Sequence, residues 1–387
     1  MKSNLPGGHG LLRLLKRIGL VFGIRTRRGM GAIAFVITIG IATVTIATKF
    51  QQDAMNQYAA TKVAADGFRA RQLALAGFQA GLAALRAAPE EALYTSGIAL
   101  NPPDISVSPD CKPKCFVSYR IAPEDGRLNV NNLVSSFEDK PNELYKGIFR
   151  RFFGFFDIPV DNVDPLVDWI DEDDTVTGAG AENSYYQGLK PQRKAKNFRM
   201  FSVAEMVLVK GFTTDMIFGS RAPEGWEKRQ KDLSFQTEDE KNLMTMDDWV
   251  VGNNITAYVP FGDRIEDKIN VNAARYHTML SLSESMTREA VLAIFKYRRQ
   301  KSGYIKELGE LRTLPELQRK TPQDITLFDE LAGNAGKLSG LLKTEGEIYR
   351  IVGVGTIVSD NPKRTVIRRV TALYDKNNNK VIYYSED

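Results

Sequence analysis

Between Asp161 and Glu182 the chain places eight carboxylates, Asp161, Asp164, Asp168, Asp171, Glu172, Asp173, Asp174 and Glu182, with no Lys or Arg among them. Like charges at this density repel unless they are solvated, spread apart or bound to a cation. Hard carboxylate oxygens at short spacing, with Gly178 and Gly180 letting the backbone fold back, suit Ca2+. Counting Asp171 as first ligand puts Asp173 third, Thr175 fifth, Thr177 seventh and Glu182 twelfth, close to EF-hand spacing. The sixth position is Val176, where the EF-hand turn needs glycine. A true EF-hand is therefore disfavoured. The residues themselves leave two readings open, a solvated acidic loop and a calcium loop of another design.

Little else in the sequence suits site chemistry. The only histidines are His9 and His277, too few for a His-rich metal site, and His277 reads as a helix-face residue. Cys111 and Cys115 are the only cysteines. With three residues between them, they could close a small disulfide in an oxidising compartment, remain thiols or, with ligands that are not nearby, hold a metal; the small disulfide is the favoured reading. No GxSxG, HExxH, P-loop or Rossmann glycine pattern occurs, so no enzyme is expected.

The elements that would carry the acidic segment begin with a strongly divided charge. The chain has 387 residues, 43% apolar and 26% charged, and a net charge of +5. Seven cations, Lys2, Arg13, Lys16, Arg17, Arg25, Arg27 and Arg28, lie in the first 29 residues, and no acid precedes Asp53. Without them the chain holds 45 Lys and Arg against 47 Asp and Glu, a net −2. The body is thus not a basic, nucleic-acid-coating protein. Met30 to Thr48 carries no charge and includes Ile33, Ala34, Phe35, Ile37, Ile41 and Val44. As a helix it would span roughly 28 Å, close to the hydrocarbon thickness of a bilayer. The basic flank predicts a cytoplasmic N-terminus and a translocated body. Helical spacing of Phe68, Leu75, Phe78, Leu82 and Leu85 continues to Ala88, and Pro89 stops it. A strand follows at 115–121, then a mostly helical stretch, with helical spacing also read at 202–210, 306–311 and 324–342. Three β-branched strands end the chain, with a turn at 375–379. Leu128-Asn-Val-Asn131 returns as Ile269-Asn-Val-Asn272. The second copy suggests Asn272 as the cap of a helix over 273–282.

Together these features resemble type II secretion minor pseudopilins of the general secretion pathway protein K family. A basic leader ending in Gly29, a hydrophobic Met30 and a long helix from the cut are similar to a class III prepilin signal. Ala34 stands where most pseudopilins carry Glu at the fifth mature position, and this family typically lacks that Glu. Both Asn doublets match the family's, as does Asp168-Trp-Ile-Asp171-x-Asp173 with Gly180-Ala-Glu182-Asn-x-Tyr185-Tyr186. The resemblance implies calcium held by Asp171, Asp173, Asp174, Glu182 and Asn183. It also implies cleavage between Gly29 and Met30 by prepilin peptidase, with N-methylation.

The implied fold is α+β, a pilin-like long N-terminal helix packed on a small antiparallel sheet with a large inserted α-helical domain. Its parts would be a leader at 1–29, the membrane and assembly helix at 30–88, the start of the β core at 89–140, the insertion at 141–345 with its loop at 161–186, and closing strands at 346–387. The implied role is a non-enzymatic subunit of the pseudopilus tip. Its partners would be other minor pseudopilins, the major pseudopilin, the peptidase and the inner membrane, with the body in the periplasm. A second reading, a membrane-anchored nucleic-acid binder with helix-hairpin-helix-like elements, is opposed by the acidic cluster and the net −2.

Overall fold

The computed structural model describes residues 27–95, 101–107, 113–135, 139–222, 245–259, 268–301, 303–333, 340–360 and 363–387. Helix α1 runs unbroken over Arg27–Ala87. It contributes to two compact units, 1–66 and 67–387. In the first unit the large apolar side chains stand exposed, Phe35 and Val36 at 67% and Ile46 at 70%. This is the one described helix long and apolar enough to cross a membrane. Its threonines do not spoil it for lipid. Thr38, Thr43, Thr45 and Thr48 each donate their hydroxyl to the carbonyl four residues back, Ala34, Ile39, Ile41 and Val44, at 2.7–2.9 Å. Every side-chain donor in the apolar run is thus satisfied within the helix, as a lipid environment demands.

In the second unit α1 buries Ala70, Ala74, Phe78, Leu82 and Leu85. Their three- and four-residue spacing makes one face. That face packs with Ile121, Tyr349, Ile351, Val370, Ala372 and Tyr374 of an antiparallel sheet. The sheet order is β1-β2-β7-β8-β9, with β1 at Ile105–Ser106, β2 at Lys114–Pro123, β7 at Ile348–Asp360, β8 at Lys363–Asp375 and β9 at Lys380–Glu386. Between β2 and β7 lie the short strands β3 (Leu128–Asn129), β4 (Ile255–Thr256), β5 (Ile269–Asn270) and β6 (Leu342–Lys343), β3 pairing with β4 and β5 with β6, both parallel. From Tyr349 to Ser359 strand β7 alternates buried and half-buried residues, because only one face meets the helix. The expected closing meander is present, and the β8–β9 turn is built by Asp375, whose Oδ1 accepts from Asn378 N at 2.9 Å.

The chain between β2 and β7 folds as the helical part. Its largest helices are α2 (Glu143–Gly154), α3 (Val163–Ile170) and, after the short α4 (Asn183–Gln187), α5 (Arg288–Gln300). Asn142 caps α2 by accepting from Tyr145 N, and Phe149, Phe152 and Phe153 pack ring against ring beneath it. The apolar core of this part already includes Leu128, Val130 and Leu133, ahead of residue 141. A buried ionic joint ties it to the sheet. Glu124, at the end of β2, accepts from both Arg350 nitrogens of β7 at 3.0 and 2.6 Å and from the Thr256 hydroxyl at 2.7 Å. Burial pushes this carboxyl up, but Arg127 and Arg350 outweigh it and hold Glu124 below the usual range.

The two Asn doublets have one architecture, in which the first Asn turns the backbone, Asn129 capping the short 3-10 helix Val130–Leu133, and the second Asn is not a helix cap. In the first, Asn129 Oδ1 accepts from Asn131 N at 3.1 Å, and the Asn131 amide clasps both backbone groups of Met200, at 2.7 and 2.9 Å. In the second, Asn270 Oδ1 accepts from Asn272 N at 2.9 Å, and the Asn272 amide clasps both backbone groups of Ile305 at 2.8 Å. Each clasped residue leads into a 3-10 turn with a capping box, Ser202 with Glu205 and Glu307 with Glu310. The two halves are therefore repeats of one motif. The expected Asn272 cap is replaced by Arg275, which caps a helix over Tyr276–Ser281 without a side-chain bond. Asn272 is consumed by long-range pairing, which a local reading of capping preference cannot see. The helical patterns read at 202–210 and 306–311 are 3-10 turns, and among the described residues of 324–342 only Leu327–Leu331 is α-helical.

His277 lies 2% exposed among the rings of Phe155, Phe156, Trp249 and Tyr276. Its Nδ1 donates to the Asp248 carbonyl at 2.9 Å. Burial pulls its pKa down to about 4, with the Asp248 bond only partly opposing. Between pH 4 and 6.5 the unfolded chain therefore binds the proton and the folded one does not, so this stabilisation is lost as pH falls through that window. The loss approaches ~3 kcal/mol. His277→Phe keeps the ring packing and leaves Asp248 O its Asn254 donor. The pH dependence of its urea midpoint should be flatter than the parent's from pH 7 to 4; parallel curves would contradict the buried neutral imidazole.

Candidate functional site

Helix α3 delivers the acidic segment. Its apolar side chains Val163, Leu166, Val167, Trp169 and Ile170 are buried, and burying that helix carries Asp164, Asp168 and Asp171 inward too. Asp168 is 0% exposed, Asp171 2% and Glu182 2%. The loop then leaves the surface of the helix with Glu172, Asp173 and Asp174 exposed and returns through Gly180. Gly180 is required, since a Cβ there would stand 2.0 Å from Asp168 Oδ2. Asp168 Oδ1 accepts from Thr177 N at 3.0 Å, and Asp173 Oδ1 from Thr175 N at 2.6 Å, which fixes the loop's turn. Lys210 Nζ closes it from outside on the carbonyls of Ala179 and Gly180.

Four carboxylate atoms in this small volume are buried and accept no hydrogen bond: Asp168 Oδ2, Asp171 Oδ1 and both Glu182 oxygens. Buried anions in that condition are expensive. The cost is visible in their proton affinities. Burial first, then the charges of Asp168, Asp173 and Asp139, pushes Asp171 up to about 7. Burial, then Asp168, Asp171, Asp174 and Asp173, pushes Glu182 up to about 8. Asp168 is raised by burial despite the Thr177 bonds. Among the described residues, no three Asp, Glu, His or Cys side chains are yet drawn together into a metal cage. The donor set nonetheless fits a hard cation: oxygen atoms only, flexible in reach and lacking other partners.

The five residues marked by the sequence take different places. Asp171 and Glu182 are the buried pair, and Asp173 and Asp174 form the exposed lip. Asn183 is committed to bracing, with Nδ2 donating to Asp174 Oδ1 at 2.6 Å and Oδ1 accepting from Ala195 N at 3.0 Å. Sequence reading left two contributors out of the site. Asp168 holds an unpartnered oxygen toward it. Asp139 reaches in from 33 positions away, accepting from Glu172 N at 3.0 Å. The Asp-x-x-Asp spacing of 168 and 171 on a helix was the available signal for the first; none existed for the second. Gly29 and Met30 lie within the backbone of α1. The Cys111–Cys115 bridge lies outside the described residues, because Cys111 does; Cys115 is buried and its Sγ donates to Pro113 O.

A long helix laid on an antiparallel sheet, with a helical part inserted between β2 and β7, defines a pilin-like subunit with an added domain. Residues 126–218 match the family described as Type II secretion system (T2SS), protein K. The matched stretch holds the first Asn doublet, α2, α3 and the acidic loop. A chain in the crystal structure of the GspK-GspI-GspJ complex from the enterotoxigenic Escherichia coli type 2 secretion system has the same fold. Its TM-score is 0.52 at 13% identity, covering 87% of this chain and 99% of that one. No curated protein matches the chain.

Proposed function

We propose that the protein is a minor pseudopilin of the type II secretion system, a non-catalytic subunit that caps the pseudopilus. The observation carrying this reading is the joining of an exposed apolar helix, internally satisfied at every threonine, to a sheet that encloses the stretch matching protein K. The helix suits a membrane before assembly and neighbouring subunit helices afterwards. Partners of the kind named for the solved complex, other minor pseudopilins, follow from the shared fold. The leader would keep the N-terminus in the cytoplasm until prepilin peptidase cuts between Gly29 and Met30 and the new amine is methylated. A calcium ion in the acidic loop is supported by the orphaned oxygens of Asp168, Asp171 and Glu182, with Asp173 and Asp174 closing it and Asn183 bracing it. The ion's service there is structural, neutralising buried anions. Nothing in the fold favours the nucleic-acid reading.

The intact mass of the protein isolated from membranes tests the processing. A chain beginning at Met30 with one added methyl group is the expected result. An uncut N-terminus would sink the pseudopilin assignment.

A further inference from the structure

Beyond the acidic loop the charge reverses. Residues 183–204 contain no Asp or Glu and five cations, Lys190, Arg193, Lys194, Lys196 and Arg199. The backbone here is held from below: Ala195 N on Asn183, Asn197 Nδ2 on the Asp173 carbonyl at 2.8 Å, and Met200 clasped by Asn131. With those residues turned inward, Lys194, Phe198 and Phe201 turn outward. Phe198 is 50% exposed and Phe201 51%, their rings 5.9 Å apart, and Lys196 lies 4.2 Å over the Phe201 ring. Lys190 and Lys194 are exposed as well. Two of these cations are engaged away from the acidic loop: Lys196 pairs with Glu205, and Arg193 donates to the Leu208 carbonyl.

Two half-exposed phenyl rings on a pre-formed backbone, ringed by lysines, are costly to leave in water and cheap to cover. We propose that the strip 190–201 docks an acidic segment of a partner protein that lays an aliphatic side chain across the exposed surfaces of Phe198 and Phe201. Charge complementarity selects the acid, through Lys190, Lys194 and the rim of Lys196. The geometry favours a short peptide over an extended polyanion. The strip is one segment wide and is bordered by Asp173, Asp174 and Glu205, so a nucleic acid strand or an anionic lipid surface laid across it meets carboxylates on either side.

The test uses the full chain in zwitterionic nanodiscs and a short fluorescent peptide of Glu, Asp and Leu, beside the same peptide with Ser for Leu. The Leu peptide should bind more tightly, and its affinity should fall with added salt. Phe198→Ala with Phe201→Ala, and Lys190→Gln with Lys194→Gln, should each weaken binding about tenfold. Lys363→Gln with Arg368→Gln, an exposed cationic pair on β8, should change nothing. Melting curves matching the parent's establish that the variants fold, and the salt response of the unaltered chain stands without them. Equal binding of both peptides, or unchanged affinity in both strip variants, would overturn the proposal. So would binding of oligothymidylate or phosphatidylglycerol vesicles in place of the peptide.

Discussion

Gly355→Val is expected to cost at least ~4 kcal/mol, the range reserved for severe overpacking with no route to relief. The reason lies in how closely α1 approaches the sheet. A Cβ at Gly355 would stand 2.0 Å from Ala70 O and 2.6 Å from Ala74 N, and one at Gly353 2.2 Å from Ala74 O and 2.3 Å from Phe78 N. From the other side, a Cβ at Gly77 would stand 2.4 Å from Ser118 O. Backbone therefore rests on backbone, and no flexible side chain can swing aside. Relief must come from lifting the helix, which uncovers Ala70, Ala74, Phe78, Leu82 and Leu85. At about 25 cal/mol per Å2 of apolar surface, that separation quickly exceeds the clash it relieves. Because the sheet's other core residues lie under the same face, the variant should lose protease resistance across β2 and β7–β9. Gly309→Ala, where nothing lies within 4 Å, is the control and should be neutral. A Gly355→Val urea midpoint within about 1 kcal/mol of the parent's would show that the helix is not seated by these glycines.

The same contact shows what was readable from the sequence. The helix over 30–88 and its apolar spacing were legible because each follows from residues a few positions apart. Gly77 in the helix and Gly353 and Gly355 in the strand, by contrast, carry no such local signal. Their meaning is pairwise and spans more than 270 positions of chain, so neither segment displays it alone. The Asn doublets are an intermediate case. Their recurrence was plain, but Asn131 and Asn272 serve residues 69 and 33 positions away, and their resemblance to caps misled the local reading. In the acidic segment, composition marked the loop, and the helical spacing of Asp168 from Asp171 was a signal left unused. Only folding revealed that Asp139 approaches, that Asn183 braces, and that the oxygens left without donors are those of Asp168, Asp171 and Glu182.

Calcium should raise the melting temperature of the chain by roughly 3–4 °C at about a hundredfold excess over Kd, since binding to the folded state alone adds about 3 kcal/mol at that ratio. The physical source is the repair of an existing fault. Without an ion, Asp171 and Glu182 are buried beside Asp168 and carry oxygens with no donor. The fold tolerates them at the expense of stability, and holding protons more tightly is how each carboxyl responds. This leads to two opposite expectations for one variant. Asp171→Asn with Glu182→Gln keeps the shapes and removes two like charges. In chelator it should melt at or above the parent's temperature, because repulsion is relieved. With calcium it should gain nothing, because the charged ligands are gone. A solvated acidic loop predicts neither effect, since charges already in water are worth little to each other. Ordinary core damage predicts a variant that melts lower under both conditions. Titration calorimetry on the parent separates the cases further: heat on adding Ca2+ that vanishes in the double variant places the ion in this loop. A parent whose melting temperature is the same in calcium and in chelator would leave the orphaned oxygens to be answered by protons alone.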